Sequence, residues 1–179
     1  MERIEPWKQE ARELTRTMFS ARHPTPALVL RWVAEGELGR NTGPQSTHLH
    51  STRAGLKERI EAGQEMPDRR PVKRERLTVV KQKVPQGVSQ YSVGRQPTCD
   101  MFVNDYTVSA KHGTLHWMAR IQRWMFQDLD STNGSWINGA KLPPMQRSLL
   151  RSTDELQLGR MCFLFLASDD LHRYLVGDY

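Results

Sequence analysis

Three short stretches in the second half of the chain carry the side chains best suited to chemistry. They are Gly94-Arg95, Ser109-Ala110-Lys111-His112, and the run from Asp128 through Ser131-Thr132-Asn133-Gly134 to Asn138-Gly139. Together they supply a guanidinium at Arg95, hydroxyls at Ser109 and Thr132, and a side-chain amide at Asn133. A phosphate ester on a peptide suits that set: it brings nearly two negative charges and three strong acceptor oxygens. Arginine answers with charge-assisted bonds that can be bidentate, and hydroxyls and loop N–H groups serve the remaining oxygens. An asparagine amide donates and accepts at once, so it can clamp an extended peptide backbone whatever its side chains.

The same residues have plainer uses. Arg95 could pair with Asp100 or Asp105, Ser109 could cap a turn, Thr132 could bond its own backbone, and Asn133 could simply tolerate a left-handed conformation. Ser109, His112 and Asp128 invite a hydrolase triad. The sequence around them resembles no nucleophile elbow and offers no evident oxyanion hole, so no catalytic residue is expected. His48-Leu49-His50 lacks nearby carboxylates and cysteines, and Cys99 and Cys162 form neither a zinc pattern nor a disulfide framework. No metal and no cofactor is expected.

The elements that must position these groups change character along the chain. Residues 1–63 read as helical: Trp7, Ala11, Leu14 and Met18 form one stripe at helical spacing. A second helix is expected from Thr25-Pro26, with Leu28, Val29, Trp32 and Val33 on its apolar face and Gly36 and Gly39 ending it. A short third helix is expected from Ser51 through Ile60. Residues 64–76 read as an extended basic linker, densest at Arg69-Arg70-Pro71-Val72-Lys73-Arg74-Glu75-Arg76.

From Leu77 the pattern becomes strand-like. Expected strands are Leu77–Val84, Gln90–Val93, Met101–Val103, Thr114–Arg120, Trp124–Leu129, Ser135–Ile137, Glu155–Leu158 and Cys162–Leu166, separated by turn signals. Many short strands with no helices between them predict a mainly β fold, an antiparallel β-sandwich over residues 77–167 preceded by the helical segment. Residues 168–179 form a tail whose Leu171, Tyr174 and Leu175 suit one side of a brief helix.

In order and spacing, Gly94-Arg95, Ser109-x-x-His112, Asp128-Leu129-x-Ser131-Thr132-Asn133-Gly134-x-x-Ile137-Asn138-Gly139 and Leu156-x-Leu158-Gly159 resemble the forkhead-associated (FHA) domain. The resemblance implies an eleven-stranded β-sandwich whose apical loops bind phosphothreonine peptides. It further implies that Arg95 and Ser109 contact the phosphate, that Thr132 adds a hydroxyl, and that Asn133 bonds the peptide backbone. Gly94, His112, Gly134, Asn138 and Gly139 would be architectural, His112 ordering the loop beneath Ser109. At Ala110 only the backbone N–H could serve the ligand, and Lys111 stands beside it.

The partner expected on this reading is a threonine-phosphorylated protein, a second copy of this chain included, marked by an upstream Ser/Thr kinase in a signalling or secretion assembly. Two other classes stay open: a phosphate-independent structural scaffold, and a nucleic-acid-binding regulator that uses the N-terminal helices. Nucleic acid is the weaker of these. Residues 1–76 hold 15 Lys/Arg against 11 Asp/Glu, and no aromatic residue is interleaved with the basic run. No stretch of 18 apolar residues exists and Met1 to Trp7 has no apolar signal core, which together predict a cytoplasmic protein without a membrane span.

Overall fold

The computed structural model describes residues 1–34, 69–79 and 89–178. The expected third helix, the His48-Leu49-His50 group, the glycines at 36 and 39, and the end of the Leu77–Val84 strand lie outside these residues. Among the described residues there are twelve strands and three helices. No described helix is long and apolar enough to cross a membrane.

One sheet has seven strands. Its order is β1 (Glu2–Arg3), β3 (Arg69–Val79), β2 (Ala27–Ala34), β12 (Met161–Leu166), β11 (Glu155–Leu158), β8 (Ser135–Ile137) and β9 (Ala140–Lys141). The other has five, ordered β10 (Arg147–Leu150), β7 (Arg123–Asp128), β6 (Gly113–Met118), β4 (Gln90–Gly94) and β5 (Met101–Phe102). Every pairing is antiparallel except β4 with β5. Leu115 and Phe126 of one sheet and Leu156, Phe163 and Phe165 of the other are fully buried in the core between them. Trp124 adds ring contacts to Tyr91, Trp117 and Phe165 at 5.2–6.1 Å between centroids.

Residues 27–34, expected as a helix, are a strand. β2 pairs with β12 on one side and β3 on the other, so it lies inside the sheet. Both of its faces are covered: Leu28 and Leu30 join the sandwich core, while Ala27 and Val29 face a second apolar cluster. A strand buried on two faces has no alternating pattern, and its continuous apolar run is indistinguishable from a helix by period alone. The basic stretch expected as a linker is likewise largely strand, because β3 begins at Arg69 and its register with β2 runs from Arg69↔Ala34 to Val79↔Ala27.

The helical segment is real but shorter than its apolar stripe suggests. α1 (Glu5–Glu13) ends at Leu14, and Thr15 caps a separate α2 (Arg16–Arg22) by accepting from the Met18 amide at 3.3 Å. The break shifts the phase, so Phe19 is fully buried while Met18 is 57% exposed. The expected C-terminal helix forms as α3 (Ser168–Val176), closed by Gly177 in the left-handed region at φ 88°. All three helices contribute to the second apolar cluster: Ala11, Phe19, Leu171 and Leu175 meet Val29, Leu77 and Leu166 of the seven-stranded sheet. His172 of α3, also buried, lies within 3.0 and 3.1 Å of the carbonyls of Ala11 and Leu14, which satisfies the end of α1.

Candidate functional site

The three stretches singled out above converge through the connections of the sheets. β4 ends at Gly94, β6 begins just after His112, β7 ends at Asp128 and β8 begins just after Gly134, so the connecting loops meet at one end of the sandwich. Direct bonds tie them together. The Arg95 amide donates to the Ser109 carbonyl and the Gln96 amide to the Ala110 carbonyl, both at 2.9 Å. A Cβ on Gly94 would stand 2.3 Å from the Ala110 carbonyl oxygen, so the two loops can approach this closely only at glycine.

Arg95 is exposed. Its Nε donates to the Val108 carbonyl at 3.2 Å, which leaves both terminal nitrogens without a partner among the described residues. The two carboxylates that could have claimed it are engaged elsewhere. Asp100 accepts from the Ser92 amide and hydroxyl at 2.8 and 2.6 Å, and Asp105 forms an ion pair with Arg160 at 2.7 Å.

Ser109 Oγ accepts from the Thr132 amide at 3.0 Å and lies 3.4 Å from its hydroxyl, so the serine and the threonine sit together. Ala110 and Lys111 are exposed beside them.

His112 is fully buried beneath this loop. Its Nδ1 accepts from the Ser109 amide at 3.0 Å, which places the proton on Nε2. Nε2 then faces the Gly134 carbonyl at 3.2 Å and the Ser135 hydroxyl at 3.1 Å. The ring therefore braces the 109–112 loop against the 131–134 turn, and it meets the backbone of Ser109 rather than its hydroxyl, unlike a triad base.

Burial pushes the His112 pKa down to about 4, against the opposing pull of Asp128. The unfolded ring titrates near 6.5. Between those values the unfolded chain carries a proton that the folded chain lacks, so stability falls as pH drops from about 6.5 to about 4. The loss should be on the order of 2–3 kcal/mol. Urea unfolding at pH 7 and at pH 4 should show it, and the His112→Asn chain should lose less over the same interval. Equal losses in the two chains would count against the assignment.

Asp128 organises the 131–134 turn. Its carboxylate accepts from the Ser131 amide at 2.8 Å, the Ser131 hydroxyl at 2.6 Å and the Ser135 hydroxyl, all buried. The Ser131 hydroxyl in turn accepts from the Gly134 amide at 3.0 Å. Gly134 has φ +84°, a conformation costly for other residues. Asn133 is half-buried, and its Nδ2 donates to the Thr107 carbonyl at 2.7 Å.

Asn138 and Gly139 lie at the opposite end of the sandwich. With φ of 49° and 82° they form the two-residue turn between β8 and β9, where both central residues must be left-handed. Asn138 also donates to Asp154 and accepts from the Glu155 amide, both at 2.8 Å.

Three further residues complete the site: Thr107 and Arg160, which no sequence signal marked, and Asp105, expected only as a possible partner of Arg95 and paired instead with Arg160. They lie behind Asn133, and no local pattern links residues 55 positions apart. Among the described residues no group of three or more His, Cys, Asp or Glu could hold a metal ion.

Comparison with known proteins places part of the chain in a family. The model of the FHA domain family matches residues 91–159. The chain is 36% identical over 84 residues to a glycogen accumulation regulator, GarA, of Mycolicibacterium smegmatis, covering 44% of this chain and 49% of that protein. It is 35% identical over 78 residues to an oxoglutarate dehydrogenase inhibitor of Corynebacterium efficiens, covering 42% and 50%. The chain thus spans about half the length of the curated relatives it matches. Among solved structures, the N-terminal FHA domain of S. cerevisiae Rad53p, in complex with a phosphothreonine peptide, is 26% identical with a TM-score of 0.41, covering 48% of this chain and 73% of that one. The fold is a two-sheet β-sandwich and the ordered motifs all fall in one match: the segment from Tyr91 to Gly159 is an FHA domain.

Proposed function

We propose that the loop end of this sandwich binds threonine-phosphorylated segments of a partner protein, making the chain a docking module rather than an enzyme. Arg95 and Ser109 would take the phosphate, with Thr132 adding a hydroxyl and Ala110 and Lys111 flanking it. Asn133 would hold the backbone of the bound peptide. The observation that carries this reading is the Arg95 guanidinium, exposed and in no ion pair among the described residues, next to the Ser109–Thr132 pair. A cation already committed to Asp100 or Asp105 could not serve a phosphate equally well.

The relatives' names, a regulator and an inhibitor, support a regulatory role. A Ser/Thr kinase would write the mark, and binding would follow the partner's phosphorylation state. Titration by calorimetry with matched threonine-phosphorylated and bare peptides tests this. Binding is expected only with the phosphorylated set. Equal affinity for both, or none for either, would favour a phosphate-independent scaffold instead.

A further inference from the structure

Asn133 does not hold itself in place. The Thr107 carbonyl that receives its amide belongs to a buried residue whose own N–H and hydroxyl both bond Asp105 Oδ1, at 2.9 and 2.7 Å. The Thr107 hydroxyl also accepts from the Arg160 amide at 3.1 Å. Arg160 then grips the Asp105 carboxylate: its Nε lies 3.2 and 3.0 Å from the two oxygens and its Nη2 2.7 Å from Oδ2. The remaining terminal nitrogen reaches the Tyr106 hydroxyl at 3.3 Å, and the guanidinium lies 4.5 Å from the centroid of the Tyr106 ring.

Each side-chain nitrogen of Arg160 therefore makes at least one hydrogen bond, and its charge is paired with that of Asp105. Its neighbour Gly159 closes the cradle. A Cβ there would come within 2.5 Å of the Thr107 carbonyl oxygen, and the Gly159 amide donates to the Gly134 carbonyl at 3.1 Å. Behind it, the Arg160 carbonyl accepts from Ala34 at 2.8 Å, at the end of β2.

We propose that the Asp105–Arg160 pair is a positioning device for the Asn133 amide, acting through Thr107, and that it sets how tightly the peptide backbone is held. The proposal rests on the phosphopeptide reading of the site. One Nδ2 hydrogen of Asn133 is spent on Thr107, which fixes the plane of the amide. The second hydrogen and the Oδ1 acceptor are left aimed by that plane. Without the pair, the Thr107 carbonyl loses the frame that directs it, and Asn133 must be ordered by the ligand at a cost in affinity.

A double-mutant cycle tests this. Arg160→Ala, Asn133→Ala and the double variant are titrated with a threonine-phosphorylated peptide that binds the unaltered chain. Arg160→Ala should cost about 5- to 20-fold in affinity when Asn133 is present and under about 2-fold when it is already alanine. Arg160→Lys, which keeps a cation on Asp105 and the backbone amide on Thr107, should recover most of the loss.

In the ligand-free protein, the two Nδ2 protons of Asn133 should be well separated by NMR in the unaltered chain. In Arg160→Ala the proton bonded to Thr107 should shift toward the value of a solvent-exposed amide and exchange faster with water, the two signals remaining distinct. Additive losses, or unchanged affinity in Arg160→Ala, would overturn the proposal while leaving the phosphopeptide site intact. If the unaltered chain binds no phosphorylated peptide, the site reading fails and this inference falls with it. If Arg160→Ala does not fold, Arg160→Gln, which removes the charge facing Asp105 but keeps most of the side chain, carries the test, and the same coupling to Asn133 is required of it.

Discussion

Replacing Arg95 with alanine is expected to weaken binding of a threonine-phosphorylated peptide by roughly 2–5 kcal/mol, that is about 30-fold or more. The variant removes a charge-assisted donor from a phosphate that has already given up much of its water. Its stability should hold within about 0.5 kcal/mol, because the side chain is exposed and among the described residues forms a single hydrogen bond, to the Val108 carbonyl. Calorimetric titration and a thermal melt on the same sample separate the two effects. Equal affinity in the variant would defeat the assignment of the phosphate site.

The second large effect concerns stability. Asp128→Ala should destabilise the fold by about 3–5 kcal/mol, since it strands the Ser131 amide, the Ser131 hydroxyl and the Ser135 hydroxyl in a buried place. The turn they shape carries Thr132 and Asn133, so phosphopeptide binding should be lost even at temperatures where the variant remains folded. Asp128→Asn keeps one acceptor oxygen and should fall between the two. Urea unfolding of the three chains gives the order. A melt for Asp128→Ala within about 1 kcal/mol of the unaltered chain would contradict this account of the turn.

The loop end was readable because its signals are local. Ser131-Thr132-Asn133-Gly134 between two strands is turn chemistry, and Asn138-Gly139 specifies a tight hairpin on its own. Ser135–Ile137 and Glu155–Leu158 lie where they were expected. The misread parts share a different cause. Leu28, Val29, Trp32 and Val33 satisfy a helical period as well as they satisfy a strand covered on both faces, and only the presence of a helical layer outside the sheet decides between them. β10 was missed because Arg147 and Leu149 are both exposed and the strand shows no simple alternation of apolar and polar residues. The Asp105–Arg160 pair is a contact of tertiary structure alone, and in the sequence neither residue stands out from the other charged residues.

The position of β2 has a consequence for where this protein can be divided. The matched segment starts at residue 91, yet β2, at residues 27–34, is hydrogen-bonded on both flanks in the middle of the larger sheet. A fragment trimmed to the family outline would leave a row of unpaired peptide groups and bare aliphatic side chains open to water, the circumstance that drives strand exchange and precipitation. The unit that folds is thus wider than the unit that sequence comparison delineates, and its amino-terminal portion is a wall of the building, not a porch.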